Sequence, residues 1–106
     1  MSEKTENKIE VTVTFRHSEP SEALKDHIIE KIKKLSKYFI KPHKAHVTLN
    51  VEGSRQMAEI SLTEDHSQFV AQEGTHDMKE SVDRVLEKIE RQLIKHKEKV
   101  KGHHKS

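Results

Sequence analysis

Apolar residues recur along this chain with two different periods, and the order in which the periods alternate leaves few folds open. Ile9, Val11, Val13 and Phe15 alternate with Glu10, Thr12, Thr14 and Arg16. That period of two puts every second side chain on one face of a half-buried strand. The period then lengthens: Leu24, Ile28, Ile32, Leu35 and Phe39 stand three or four apart, one face of an amphipathic helix. Ser18, Pro20 and Ser21 ahead of it supply turn and N-cap chemistry, Glu22 suits the positive end of the helix dipole, and Pro42 stops the helix. Period two returns at Ala45, Val47, Leu49 and Val51, ending near Gly53. It continues at Ala58, Ile60 and Leu62 and, after a tight polar turn at Glu64 to Ser67, in a short strand at Phe69 and Ala71. Met78, Val82, Val85, Ile89 and Leu93 form the stripe of a last helix. Thr75 caps it, Asp77 stands in its first turn, and Gly102 ends it.

The predicted order is β-α-β-β-β-α, an α+β fold. A helical crossover makes the first two strands parallel if they are neighbours, and the later strands form a meander. The two helices then run parallel on one face of a four-stranded sheet. The other face is expected to show Thr12, Thr14, Thr48, Asn50, Ser61, Thr63 and Gln72, polar and uncharged. With 106 residues there is one core and one domain: a disordered N-terminus at 1–7, a folded unit at 8–101 and a basic flexible tail at 102–106.

Hydrophobic residues are 31% and charged residues 36% of the chain, but the clear periodicity argues against disorder. Cysteine is absent, which removes disulfide and thiolate chemistry. No apolar run approaches the ~20 residues needed to cross a bilayer, and no signal-peptide pattern opens the sequence. The expectation is a cytoplasmic protein, monomeric when free, with no membrane partner.

The formal net charge of +2 hides an asymmetry: residues 1–30 hold seven acids and four Lys or Arg, residues 84–106 three acids and eight. At about 100° per residue, Arg84, Lys88, Arg91, Lys95 and Lys99 form one flank of the last helix. Glu80, Asp83, Glu87 and Glu90 form the other. The first helix repeats the sorting, with His27, Lys31, Lys34, Tyr38 and Lys41 in one stripe. Glu22, Asp26 and Glu30 lead its opposite side, which turns basic at Lys33 and Lys37. Like charges at i,i+4 cost a few tenths of a kcal/mol per pair, so sorting without a partner is unfavourable. On parallel helices both basic stripes lie on the same rotational side, and they are expected to merge into one ridge for a polyanion. The competing reading is a solvated flank with a chance arrangement of lysines. Of Phe15, Tyr38, Phe39 and Phe69, only Tyr38 falls on an exposed position, so no aromatic platform for stacked bases is expected. Contacts would go to phosphates and sugars, with recognition by shape and charge.

The segments SEALKDHIIEKIKKLSKYF, HVTLNVE and GTHDMKESVDRVLEKIERQLIKHKEKVKGH resemble the ribosome hibernation-promoting factor family, also called ribosome-associated inhibitor or sigma-54 modulation proteins, over roughly residues 8–101. The most specific pieces are Asp77-Met78 and KIERQLIKHKEK. The resemblance implies a fold like a double-stranded-RNA-binding domain. It also implies binding to the small ribosomal subunit and its 16S rRNA, in the channel of messenger and transfer RNA, silencing translation under stress or in stationary phase. The positions matching the family's basic faces are Lys31, Lys34, Lys37, Lys88, Arg91, Lys95, Lys97 and Lys99, with Arg16 and His17 ending the first strand; Arg84 joins them from the wheel. Lys79 stands where the family has an aromatic, and Asp65, His66 and Ser67 replace a glycine-containing turn. The chain resembles the short type, whose members act with a separate ribosome modulation factor as ribosomes pair into inactive dimers, and KGHHKS favours the hibernation-promoting subtype. The implied mechanism is steric competition without chemistry.

Two other classes compete. Nine histidines raise a metal enzyme, but His43 and His46 straddle a strand start and point to opposite faces, and His103 and His104 fall in the tail. No nucleophile triad is suggested, and no glycine-rich phosphate loop exists among three glycines. No enzyme activity, metal or cofactor is therefore expected. The second alternative is a protein-binding transcription regulator acting through the acidic helix flank.

Overall fold

In the computed structural model, which describes residues 9–39, 42–64 and 67–105, the period-two stretches are strands β1 (Glu10–Arg16), β2 (Pro42–Glu52), β3 (Arg55–Glu64) and β4 (Ser67–Thr75). The helical stretches are α1 (Glu22–Lys34) and α2 (Met78–Lys105). The N-terminal segment 1–7 lies outside the described residues, as do Lys41, Asp65, His66 and Ser106. The sheet order is β1-β2-β3-β4, with β1 parallel to β2 and the other pairs antiparallel. β1, β2 and β4 thus share a direction, and α1 and α2 both run back against it.

Register carries the apolar alternation across the sheet. Val13 pairs with Val47, Val47 with Ile60 and Ile60 with Ala71. The rows on either side are Val11, Ala45, Leu62 and Phe69, and Phe15, Leu49, Ala58 and Glu73. Onto this face pack Ile28, Ile32 and Leu35 from the first helical segment and Val82, Val85, Leu86, Ile89 and Leu93 from α2. Burying each Val, Leu or Ile contributes about 1.5–3 kcal/mol, so helix placement follows from the stripes.

The start of α1 is built as the residue types suggest. α2 instead begins at Met78, so Asp77, whose carbonyl accepts the Ser81 N–H at 3.0 Å, stands at the N-cap rather than in the first turn, and Thr75 lies ahead of the helix instead of capping it. Ser21 caps α1, its Oγ accepting the Leu24 N–H at 3.1 Å. Before α2, Thr75 Oγ1 accepts the Asp77 N–H at 3.0 Å, and the fully buried Ser81 hydroxyl donates to the Gln56 carbonyl at 2.7 Å. The Ser81 bond pins the first turn of α2 to the start of β3. Gly53, at φ 61° in the β2–β3 turn, takes the left-handed conformation that favours glycine.

Four boundaries or surfaces differ from expectation. α1 ends at Lys34 and tightens into a 3₁₀ turn, Leu35–Tyr38, closed by the Phe39 N–H on the Ser36 carbonyl at 3.0 Å. Such turns consume the orphan carbonyls of a helix end, so Pro42 begins β2 rather than stopping a helix. β4 spans nine residues rather than a short apolar pair, because β3 offers it a ladder from Glu64 opposite Ser67 to Gln56 opposite Thr75. Gly102 lies inside α2 instead of ending it. The open sheet face holds charge as well as hydroxyls: Glu10, Arg16, Lys44 and Glu59 stand in its rows with the predicted polar residues. Among the described residues, no helix is long and apolar enough to cross a membrane.

Candidate nucleic-acid interface

The helix cations divide into two sets. Lys31 and Lys34 of α1, with Lys37 of the 3₁₀ turn, line a groove between the helices, above Leu35 and Leu86. The opposite wall is the acidic flank of α2: Asp83, Glu87 and Glu90. On the far side of α2, Lys88, Arg91 and Lys95 stand over β4, beside Val70 and Gln72. The single merged ridge is therefore not formed. Two parallel helices with cations on the same rotational side present one basic stripe to the neighbour and the other away from it. What meets the stripe of α1 is the other flank of α2, so the order across the surface is basic, acidic, basic.

The alternation ends towards the C-terminal part of α2. After Glu90 its groove-side flank continues with Ile94 and Lys97, which line a depression with Lys37 and Tyr38. Lys97 Nζ donates to the Lys37 carbonyl at 2.8 Å, joining α2 to the 3₁₀ turn. Lys95 and Lys99 flank His96 on the other side. His96 in turn meets the Phe69 ring edge-on, with centroids 5.3 Å apart. Cations of both helical segments come together at this end, with Glu98 among them.

Ion pairing separates the cations further. Arg84 pairs with Glu80 at 2.8 Å and Arg91 approaches Glu87 at 3.9 Å. Lys88 pairs with Glu73 at 2.6 Å and also reaches the Gln72 carbonyl at 3.4 Å. The Lys88 hydrogen bond holds the Glu73 carboxyl below its ordinary 4.5. Asp83 bonds His27 at 3.0 Å and Lys79 at 3.4 Å, and the His27 bond first, then Lys79, lowers its carboxyl from the ordinary 3.8. Among the described residues, Lys31, Lys34, Lys37, Lys95, Lys97 and Lys99 make no ion pair.

Arg16 and His17 do not join either set. Arg16 shares an open-face row with Asn50, Met57 and Gly74, and it ends β1 at the edge from which both helices start. His17, at φ 50°, has Nδ1 3.1 Å from Asn50 Oδ1. Tyr38 is half-buried against the core rather than exposed, and Lys37 Nζ stands 5.3 Å from its ring centre. No Phe, Tyr or Trp occupies the open-face rows. The side chains of His43, His103 and His104 lie outside the described residues.

Sequence reasoning missed Glu73 and Gln92. Glu73 continues the alternation of Phe69 and Ala71, which places a carboxylate on the helix side of the edge strand. Gln92 stands one turn after Lys88, and its Nε2 donates to the Val70 carbonyl at 3.1 Å. Lys88 and Gln92 thereby cover two outward carbonyls of β4.

Residues 11–101 match the family described as sigma 54 modulation protein / S30EA ribosomal protein. A ribosome hibernation promoting factor from Azotobacter vinelandii is 33% identical over 91 residues, covering 86% of this chain and 85% of that one. Its counterpart from Escherichia coli K12 is 30% identical over 95 residues, covering 90% and 100%. A ribosomal subunit interface protein from Coxiella burnetii superposes with a TM-score of 0.74 at 21% identity, covering 83% of this chain and 97% of the other, and so shares the fold.

Proposed function

This chain belongs to the sigma 54 modulation protein / S30EA ribosomal protein family, that of the ribosome hibernation promoting factors, and from that premise we propose that it binds ribosomes and holds them inactive. The surface we assign to the contact is the end of the molecule where Lys37 and Lys97 meet, with Lys31, Lys34, Lys95 and Lys99 around them. The observation that carries this choice is the absence of ion pairs on those side chains, among the described residues, while Arg84, Lys88 and Arg91 have carboxylate partners. An unpaired ammonium can neutralise a phosphate without first giving up a carboxylate.

The ligand we propose is the 16S rRNA of the small subunit, in the channel of messenger and transfer RNA. Inhibition is steric: lysines engage phosphates and the folded body fills the space a transfer RNA needs. Contacts of this kind read backbone geometry rather than bases, which agrees with an open face lacking Phe, Tyr and Trp. The action is cytoplasmic, and pairing of idle ribosomes together with a separate modulation factor belongs to the same proposal. The acidic flank that a protein-binding regulator would use faces Lys31 and Lys34 across the groove, which makes it the weaker docking face.

The test is sedimentation of ribosomes with purified protein through a sucrose gradient. Lys34→Glu combined with Lys95→Glu is expected to lower ribosome binding by tenfold or more, about 1.4 kcal/mol or above, with the circular dichroism of the parent. Both side chains are exposed, so folding is unaffected. A double variant that travels with small subunits and inhibits translation like the parent overturns the surface. A parent that stays at the top of the gradient overturns the function.

A further inference from the structure

One histidine whose side chain is described stands inside the lysine cluster at the C-terminal part of α2. His96 lines a shallow depression with Lys95, Glu98 and Lys99. Both lysines are exposed and form no ion pair among the described residues. The His96 ring is half-buried and held against Phe69, with centroids 5.3 Å apart and the planes at 70°. It therefore has a fixed place at the surface, unlike a side chain free to swing away.

The charged groups around it come from three sides. On α2 they are Lys95, Glu98 and Lys99. Lys97 lies round the helix, bonded to the Lys37 carbonyl of the 3₁₀ turn. β4 brings no charge between Ser67 and Gln72. β3 brings Glu64, buried opposite Ser67 in the next row to Phe69 on the helix side of the sheet.

Histidine is the side chain whose unperturbed charge changes between pH 5 and 8, whereas lysines stay charged across that range. A phosphate drawn onto Lys95 or Lys99 stands beside the His96 ring, and a nearby opposite charge favours the protonated form. Binding and protonation then promote each other. Affinity rises as pH falls through the range where the bound protein takes up the proton, and levels off once the free protein holds it too. The Phe69 contact is compatible with both states, since an aromatic ring receives a cation as well as the edge of a neutral ring.

We infer that His96 is a proton-gated phosphate contact, which adds a cation to the lysine cluster on acidification and tightens the hold on ribosomal RNA. The inference rests on the ribosome-binding reading above and adds its regulation by pH.

The experiment measures affinity for purified ribosomes at fixed ionic strength between pH 8 and pH 6, for the parent, His96→Gln and a control, His76→Gln, an exposed histidine ahead of α2. The ratio of parent affinity to that of His96→Gln cancels the titration of the ribosome and of the other histidines. That ratio is expected to grow by about three- to sixfold on going from pH 8 to pH 6, as for one imidazole beside one phosphate, while His76→Gln follows the parent. A ratio that is the same at every pH, even if it differs from one, means that His96 only packs on Phe69 and overturns the inference. A ratio that shrinks in acid, or an equal change from His76→Gln, overturns it too. A parent that fails to sediment with ribosomes at any pH sinks the function proposed above and this inference with it; a bound parent with a flat ratio sinks the inference alone.

Discussion

Asp83 ties the two helices together, accepting from His27 on α1 and from Lys79 one turn before it on α2. Its carboxyl titrates below the ordinary 3.8, first through the His27 bond, so folding favours the charged form. A depressed carboxylate contributes stability that is complete above its unfolded value and lost as pH falls through the folded one. Asp83→Asn should therefore cost most at neutral pH, about 0.5–1 kcal/mol given 45% side-chain exposure and the screening this brings. The gap to the parent should narrow in urea unfolding as the pH is lowered below the ordinary carboxylate range and Asp83 becomes protonated in the folded state. A deficit as large in acid as at neutrality would show that the loss is of packing, not charge. Neither Asp83's bond to His27 nor Glu73's to Lys88 is written in local spacing. In both, the partners come from different elements, and only their faces could be read from the periods.

At the scale of elements, the periods of two and of three to four sufficed for the order of strands and helices, the parallel pair and the buried faces. Each of those depends on side-chain direction, which the local pattern fixes. Lengths were less legible. β4 has few apolar residues, and its span is set by the ladder β3 offers; α1 yields to a 3₁₀ turn that serves its own carbonyls. The charge stripes were read on the correct sides of their helices except at Lys37, which the 3₁₀ turn brings beside Lys31 and Lys34, and the conclusion that they merge failed. Which flank meets which depends on the lateral order of the helices over the sheet, a tertiary property. The β4 edge shows a further consequence of that order. Lys88 and Gln92 donate to the Gln72 and Val70 carbonyls, beside a Val70 side chain that is 47% exposed. Uncovered edge strands invite pairing with another chain. Lys88→Ala with Gln92→Ala should therefore give an apparent mass in sedimentation that rises with concentration more steeply than the parent's. Identical curves would mean that the two side chains do not guard the edge.

For the whole molecule, the decisive disproportion is between core and helix. Among the residues whose burial is described, Leu93 is the last of α2 in the buried core, and the twelve residues from Ile94 to Lys105 extend the helix by ~18 Å. His96 and Lys97 still touch Phe69 and Lys37, so the extension leaves the body within about a turn of Lys97. The arm starts where the unpaired cations of both segments gather, whereas the paired ones, Arg84, Lys88 and Arg91, come earlier in α2. If about six lysines at this end engage phosphates, the logarithm of ribosome affinity should fall with the logarithm of salt at a slope of about −4 to −5. Replacing Lys95 and Lys99 by Gln should reduce the steepness by about 2, one for each lost contact. Arg84→Gln should leave it nearly unchanged, because that guanidinium is already matched by Glu80 at 2.8 Å. The reverse result, a slope insensitive to Lys95 and Lys99 but reduced by Arg84→Gln, would move the contact to the N-terminal half of α2, where the acidic flank divides the cations.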